Sequence, residues 1–142
     1  MFTRAMRWTY LVWAWIILAA VIVQFFLAGL GVFAGVSNFQ THANWGYTLF
    51  FVMLLWLAPA FAARLPWGTI GLTALAPVLV LLQSVFIAMW HGGLPAVAAL
   101  HVVNGLAIFA LSGFLALQAR QYLTTHLPAH EPASMDAGAS TG

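Results

Sequence analysis

Between Arg7 and Arg64, and again between Arg64 and Arg120, the chain carries no Lys, Arg, Asp or Glu. Each interval is long enough for two helical crossings of a bilayer, which need about 20 apolar residues apiece. Ionisable side chains are costly at the bilayer centre, so uncharged runs of this length are what hydrocarbon tolerates. An ordinary soluble domain is roughly 25% charged; this chain is 4% charged and 64% hydrophobic. The sequence therefore predicts an integral membrane protein whose first partner is the lipid bilayer.

Polar and Gly/Pro clusters divide the apolar sequence into four segments, about residues 8–33, 44–63, 68–90 and 96–118. The connections between them, "AGVSNFQTH", "RLPW" and "HGGLP", are short, so consecutive segments are expected to run antiparallel. The fold class that follows is all-α: an integral membrane four-helix bundle wound up-down-up-down over residues 1–120. A cleaved signal peptide is the alternative for the first segment, since Arg4 and Arg7 precede it and "VFA" ends it. Its apolar run exceeds the about 7–15 residues usual for such a peptide, and it reads as a retained span.

Residues 121–142, rich in Pro, Ala, Ser, Thr and Gly, hold the only two acids, Glu131 and Asp136, and read as a disordered cytoplasmic tail. Pro128 interrupts any helix that would align His126 with His130, so no metal pair is expected there.

Four spans bring Arg4, Arg7, Arg64 and Arg120 to one side, which the positive-inside rule makes cytoplasmic. The expected setting is a bacterial inner membrane with both termini cytoplasmic. Trp8 and Trp67 would mark the inner interface, Trp45 and Trp90 the outer one. Four arginines and no lysine are too sparse for a nucleic-acid surface. The absence of cysteine excludes thiolate metal sites, iron–sulfur clusters, disulfides and a cysteine nucleophile within this sequence.

Against that apolar background, polar residues recur. Sliding the chain by 59 residues aligns Trp8 with Trp67, Gln24 with Gln83, His42 with His101, Gly46 with Gly105, and Phe50 with Phe109. The matching residues are those that hydrocarbon least tolerates, and each histidine has a glycine four residues later. The pattern predicts a weak two-helix repeat in parallel orientation, related by a pseudo-twofold axis along the membrane normal.

In such a bundle helices 2 and 4 face each other across a diagonal, and His42 and His101 converge near the periplasmic face. Positions i and i+4 share a helix face, so Gly46 and Gly105 would clear space beside the imidazoles for something flat. One b-type haem suits that arrangement, with His42 and His101 as its axial metal ligands. Gln24 and Gln83 lie on the other diagonal and, with Asn44 and Asn104, complete the candidate cofactor-binding set. Ser37, Asn38, Gln40, Thr41 and His91 are the further polar groups of that half, which contains no cation for a haem propionate.

The expected function is electron transfer with a periplasmic or quinone partner, or haem sensing or handling. One haem near one face leaves most of the roughly 30 Å hydrocarbon core uncrossed, so no complete transmembrane electron path is expected in one subunit. The alternative is a cofactor-free membrane subunit, assembled with a partner subunit, or a small lipophilic-ligand carrier. There the histidines sit at a wet interface and the glutamines act as interhelical glue. Acid–base catalysis is the weakest option, because with no intramembrane carboxylate only histidines transfer protons near neutral pH.

"HANWG", "LHVVNGL" and "VQFFLAGLGVF" resemble an uncharacterised family of small four-helix bacterial membrane proteins, over about residues 8–120. More loosely, a histidine on helix 2 and another on helix 4 is similar to the haem-binding halves of heme A synthase. That resemblance implies a b-type haem on His42 and His101. The chain has one such half and lacks the charged residues that accompany those histidines, so haem binding is carried over and haem A synthesis is not.

Overall fold

A computed structural model describes residues 1–124 as six helical segments without strands. They are α1 (Phe2–Phe33), α2 (Asn38–Leu55), α3 (Leu57–Ala62), α4 (Trp67–His91), α5 (Pro95–Ala98) and α6 (Leu100–Thr124). They make four spans long and apolar enough to cross a membrane: Phe2–Phe33, Asn38–Ala62, Trp67–His91 and Pro95–Thr124. Backbone polar groups have no water to bond in hydrocarbon, and helices satisfy them within the segment.

The expected boundaries shift at several places. The second span begins at Asn38 rather than Asn44, because "SNFQ" enters the helix through short-range bonds from Asn38 N to Gly35 O and from Phe39 N to Val36 O. Gly35 makes that corner at φ 126°, a backbone conformation that L side chains rarely adopt. His42 consequently sits inside α2 and not at its start. Within the span, Pro59 has no N–H to offer Leu55 O, and the helix breaks at Trp56 between α2 and α3. The last span continues beyond residue 120, so Gln121 to Thr124, expected in the tail, are helical. The remainder of that tail, with His126 and His130, lies outside the described residues.

Around the bundle, α1 packs beside α2 and α6, and α4 beside the same two, leaving α1/α4 and α2/α6 as diagonals. The core is centred on Tyr10, Ile17, Met53, Trp56 and Leu115. Large apolar side chains such as Phe26, Phe51, Leu106 and Leu117 point outward. Lipid is as apolar as they are, so helix association depends on close packing and polar ties within the bundle.

The 59-residue offset maps buried positions onto buried positions: Leu49 onto Ile108, Met53 onto Ser112, Trp56 onto Leu115 and Ala60 onto Ala119. The helical register is thus shared by the two halves even where residue types differ. The larger member of the Met53/Ser112 and Trp56/Leu115 pairs comes from the first half, and the core is filled asymmetrically.

The arginine end of the bundle is tied by hydrogen bonds. Thr73 Oγ1 donates to Thr69 O at 2.8 Å, so Tyr10 Oη is the donor in its 2.8 Å bond to Thr73 across the α1/α4 diagonal. Trp56 Nε1 donates to Tyr10 O at 3.2 Å while its ring stacks on that of Tyr10, centroids 4.9 Å apart. Thr69 bonds Tyr122 Oη at 2.6 Å, and Arg7 Nη1 donates to Tyr122 O at 3.1 Å. These bonds to Tyr122 give a physical reason for the helix to run past Arg120.

Candidate functional site

The opposite end carries the histidines. His42 on α2 and His101 on α6 are both half-buried and face each other across the diagonal, ring centroids 6.1 Å apart and planes at 53°. The expected convergence is present.

Each imidazole is aimed by the span that precedes its own. His42 Nδ1 lies 3.2 Å from Gln24 O, and His101 Nδ1 lies 3.4 Å from Gln83 O. A carbonyl offers only lone pairs, so each Nδ1 bears the hydrogen, and in the neutral ring each Nε2 is the acceptor. One main-chain contact therefore selects the tautomer in both halves.

Gln24 on α1 and Gln83 on α4 occupy the other diagonal, as expected, and each also meets the histidine of the next span. Gln24 Nε2 donates to His42 O at 3.1 Å and lies 3.3 Å from His42 Nε2. Gln83 Nε2 makes no hydrogen bond among the described residues. Gln24 Oε1 and Gln83 Oε1 are both buried without a partner. The bond to His42 O orients the Gln24 amide, since turning it over would set two carbonyl oxygens against each other.

Gly46 and Gly105 do clear space beside the histidines, and the glutamine amides fill it. A Cβ on Gly46 would lie 3.2 Å from Gln24 Nε2. One on Gly105 would lie 3.4 Å from Gln83 Nε2 and 3.6 Å from the Phe25 ring. Phe25 packs edge-on against Phe109, centroids 6.1 Å apart, and Phe39 packs edge-on against His42 at 6.3 Å.

Of the two asparagines, Asn104 is buried and donates to Leu79 O at 2.8 Å, tying α6 to α4. Asn44 is exposed on α2, accepting from Gln40 Nε2 at 2.9 Å, and is not brought to the histidines. Trp45, expected at the outer interface, is half-buried and donates Nε1 to Ala20 O at 2.9 Å. It is the counterpart of Asn104, a role hidden in the sequence because an indole and an amide share nothing but an N–H. Trp8, Trp67 and Trp90 are exposed.

Among the described residues no three His, Cys, Asp or Glu side chains gather as a metal-holding group. The chemistry on offer is two imidazoles from opposite helices, two amides and two missing side chains. A porphyrin supplies four nitrogens of its own, and two histidines suffice for haem iron.

Four apolar crossings and a polar cluster between them define the class: a multi-pass α-helical membrane protein with lipid-facing helices. Within that class the chain resembles an uncharacterised family of small helical proteins. The profile of a family of unknown function (DUF6220) matches residues 24–89, from Gln24 through His42 and Gly46 to Gln83 and beyond. Neither the comparison with curated proteins nor that with solved structures returns a match.

Proposed function

We propose that the protein is a membrane-embedded b-type haem-binding protein, with His42 and His101 as the axial ligands of one haem. The observation that carries the reading is the facing pair of imidazoles, each with Nδ1 turned onto a main-chain carbonyl. Histidines that hold metals characteristically donate their second ring N–H in this way, which fixes the ring and raises its basicity. Two metal–nitrogen bonds of about 2 Å, plus the depth of each ring, set imidazole centroids about 6 Å apart. The 6.1 Å between the ring centroids is compatible with that spacing.

The donor set also suits the group. Both histidines turn Nδ1 onto a carbonyl, neither neighbouring glycine adds a side chain to the space the glutamine amides occupy, and both glutamine oxygens are unpaired. When bound, haem supplies a one-electron iron couple. The chain's own residues hold the imidazoles in one tautomer, pack the Phe25 and Phe39 rings against Gly105 and His42, and keep the site in the half of the bundle away from the arginines.

In the proposed setting, a bacterial inner membrane with the arginines cytoplasmic, the histidines lie toward the periplasm. The exchange partner is a periplasmic protein, a quinone or a partner membrane subunit, and haem sensing or handling is the other use of the same site.

One observation favours a second reading, a cofactor-free subunit or lipophilic-ligand carrier. The Gln24 amide occupies the space beside Gly46 and bonds His42 on two atoms, as interhelical glue would. Absorption spectra of the purified protein, oxidised and reduced after expression with ample haem, separate the two. The haem reading expects a Soret band that changes in His42→Ala and His101→Ala. A protein without that band, or with a band indifferent to both substitutions, is the cofactor-free one.

A further inference from the structure

The pseudo-twofold is broken at the histidines themselves. Gln24 and His42 share three contacts, at 3.1, 3.2 and 3.3 Å, whereas Gln83 and His101 share one, at 3.4 Å. His42 Nε2 thus accepts from the Gln24 amide. His101 Nε2 has no hydrogen-bond partner among the described residues.

The cause is a side chain that one half has and the other lacks. Phe25 reaches across to Gly105, its ring 3.6 Å from the Cβ position there, and braces against Phe109. The residue 59 positions later is Ser84, exposed and too short to make the equivalent contact at Gly46. The Gln83 amide therefore shares its space with a ring, and the Gln24 amide has the space beside Gly46 to itself.

Resting on the haem reading above, we infer that the two histidines are inequivalent ligands. His101 is the standing one, and the Gln24 amide is a latch that holds the His42 lone pair until it turns away. A metal centre entering this site meets a free nitrogen on α6 and an occupied one on α2. With haem bound, His101 would be the nitrogen that holds the group, and His42 the one that the Gln24 amide can withhold.

The test titrates the purified full chain with hemin and reads stoichiometry and spin state by absorption and electron paramagnetic resonance. The expected result is that His101→Ala loses hemin, while His42→Ala retains it in a high-spin form. Gln24→Leu shifts the bound hemin toward low spin by about fivefold, the worth of one net hydrogen bond. Gln24→Asn, which keeps an amide but shortens its reach, does the same and serves if the leucine variant misfolds. Gln83→Leu, which removes no side-chain bond to an imidazole, shifts the spin balance less than Gln24→Leu.

Equal loss of hemin in the two histidine variants, or the same spin shift from Gln24 and Gln83 substitutions, removes the latch and leaves the haem reading standing. A wild-type protein that takes up no hemin removes both.

Discussion

Trp45 and Asn104 stand 59 residues apart and perform one structural act. Each sends a side-chain N–H to the main-chain carbonyl 25 residues earlier, Trp45 to Ala20 at 2.9 Å and Asn104 to Leu79 at 2.8 Å. Together with the Nδ1 contacts of His42 and His101, these bonds give the two halves the same polar stitching. The repeat is therefore a repeat of hydrogen-bond geometry more than of residue identity.

Those ties are open to substitution one at a time. Trp45→Phe keeps an aromatic ring and removes the donor; Asn104→Leu keeps the volume and removes the amide. Interhelical hydrogen bonds in membranes average about 0.6 kcal/mol and reach about 1.7 kcal/mol. Each variant is expected to lose stability in that range in reversible unfolding from mixed micelles. The ties join different helix pairs, so the double variant should show the sum of the single losses. A coupling energy above about 0.5 kcal/mol would contradict that independence.

Gly46 and Gly105 look alike in sequence and are expected to respond differently to alanine. At Gly46 the new methyl would meet, at 3.2 Å, an amide already anchored to His42. At Gly105 it would meet, at 3.4 Å, the Gln83 amide, which has no bond to hold it in place. Alanine gains about 1 kcal/mol of helix propensity over glycine wherever the space permits. Gly105→Ala should accordingly be neutral or stabilising in the same unfolding measurement, and Gly46→Ala destabilising, with the His42 ring resonances displaced in its nuclear magnetic resonance spectrum.

The four spans were legible because charge-free length and short polar breaks leave little else for a chain to do in hydrocarbon. The facing of His42 and His101 was legible too, through the offset that pairs them and the winding that puts their helices on a diagonal. The glutamines were harder. Sequence placed them on the other two helices, but it did not show that the Gln24 side chain reaches sideways to His42 while Gln83 meets His101 through its main-chain oxygen. Asn44 misled because nearness to His42 in sequence says nothing of helix face: two residues on, the side chain has turned about 200° away. The Trp45 bond was not legible, because an indole at a helix end suits an interface and a buried carbonyl equally well. Its partner, Ala20, carries no sequence signal at all.

The stack of Tyr10 on Trp56 anchors the arginine end, and its contribution is separable from hydrophobic burial. Both rings are fully buried, and the Trp56 indole also bonds Tyr10 O. Tyr10→Leu and Trp56→Leu should each destabilise the bundle, and the double variant should lose less than the sum. Stacked aromatic pairs carry about 0.5–1.5 kcal/mol beyond area, and a double-mutant cycle should return coupling of that size. Tyr10→Phe, which keeps the stack and removes only the hydroxyl bond to Thr73, should fall well short of the Tyr10→Leu loss.

The proposed orientation makes a prediction that the composition renders unusually clean, because the chain has no cysteine. All four arginines lie at one end, and basic residues are retained on the cytoplasmic side. Ser37, exposed in the α1/α2 corner, would face the periplasm, and Thr124, exposed at the end of α6, the cytoplasm. A membrane-impermeant maleimide applied to intact spheroplasts should label the thiol of Ser37→Cys and spare that of Thr124→Cys. Lysis should expose the second without changing the first. Labelling of Thr124→Cys in unlysed cells would reverse the orientation and put the histidine pair at the cytoplasmic face, while labelling of both would indicate a mixed population, which so one-sided a charge distribution disfavours.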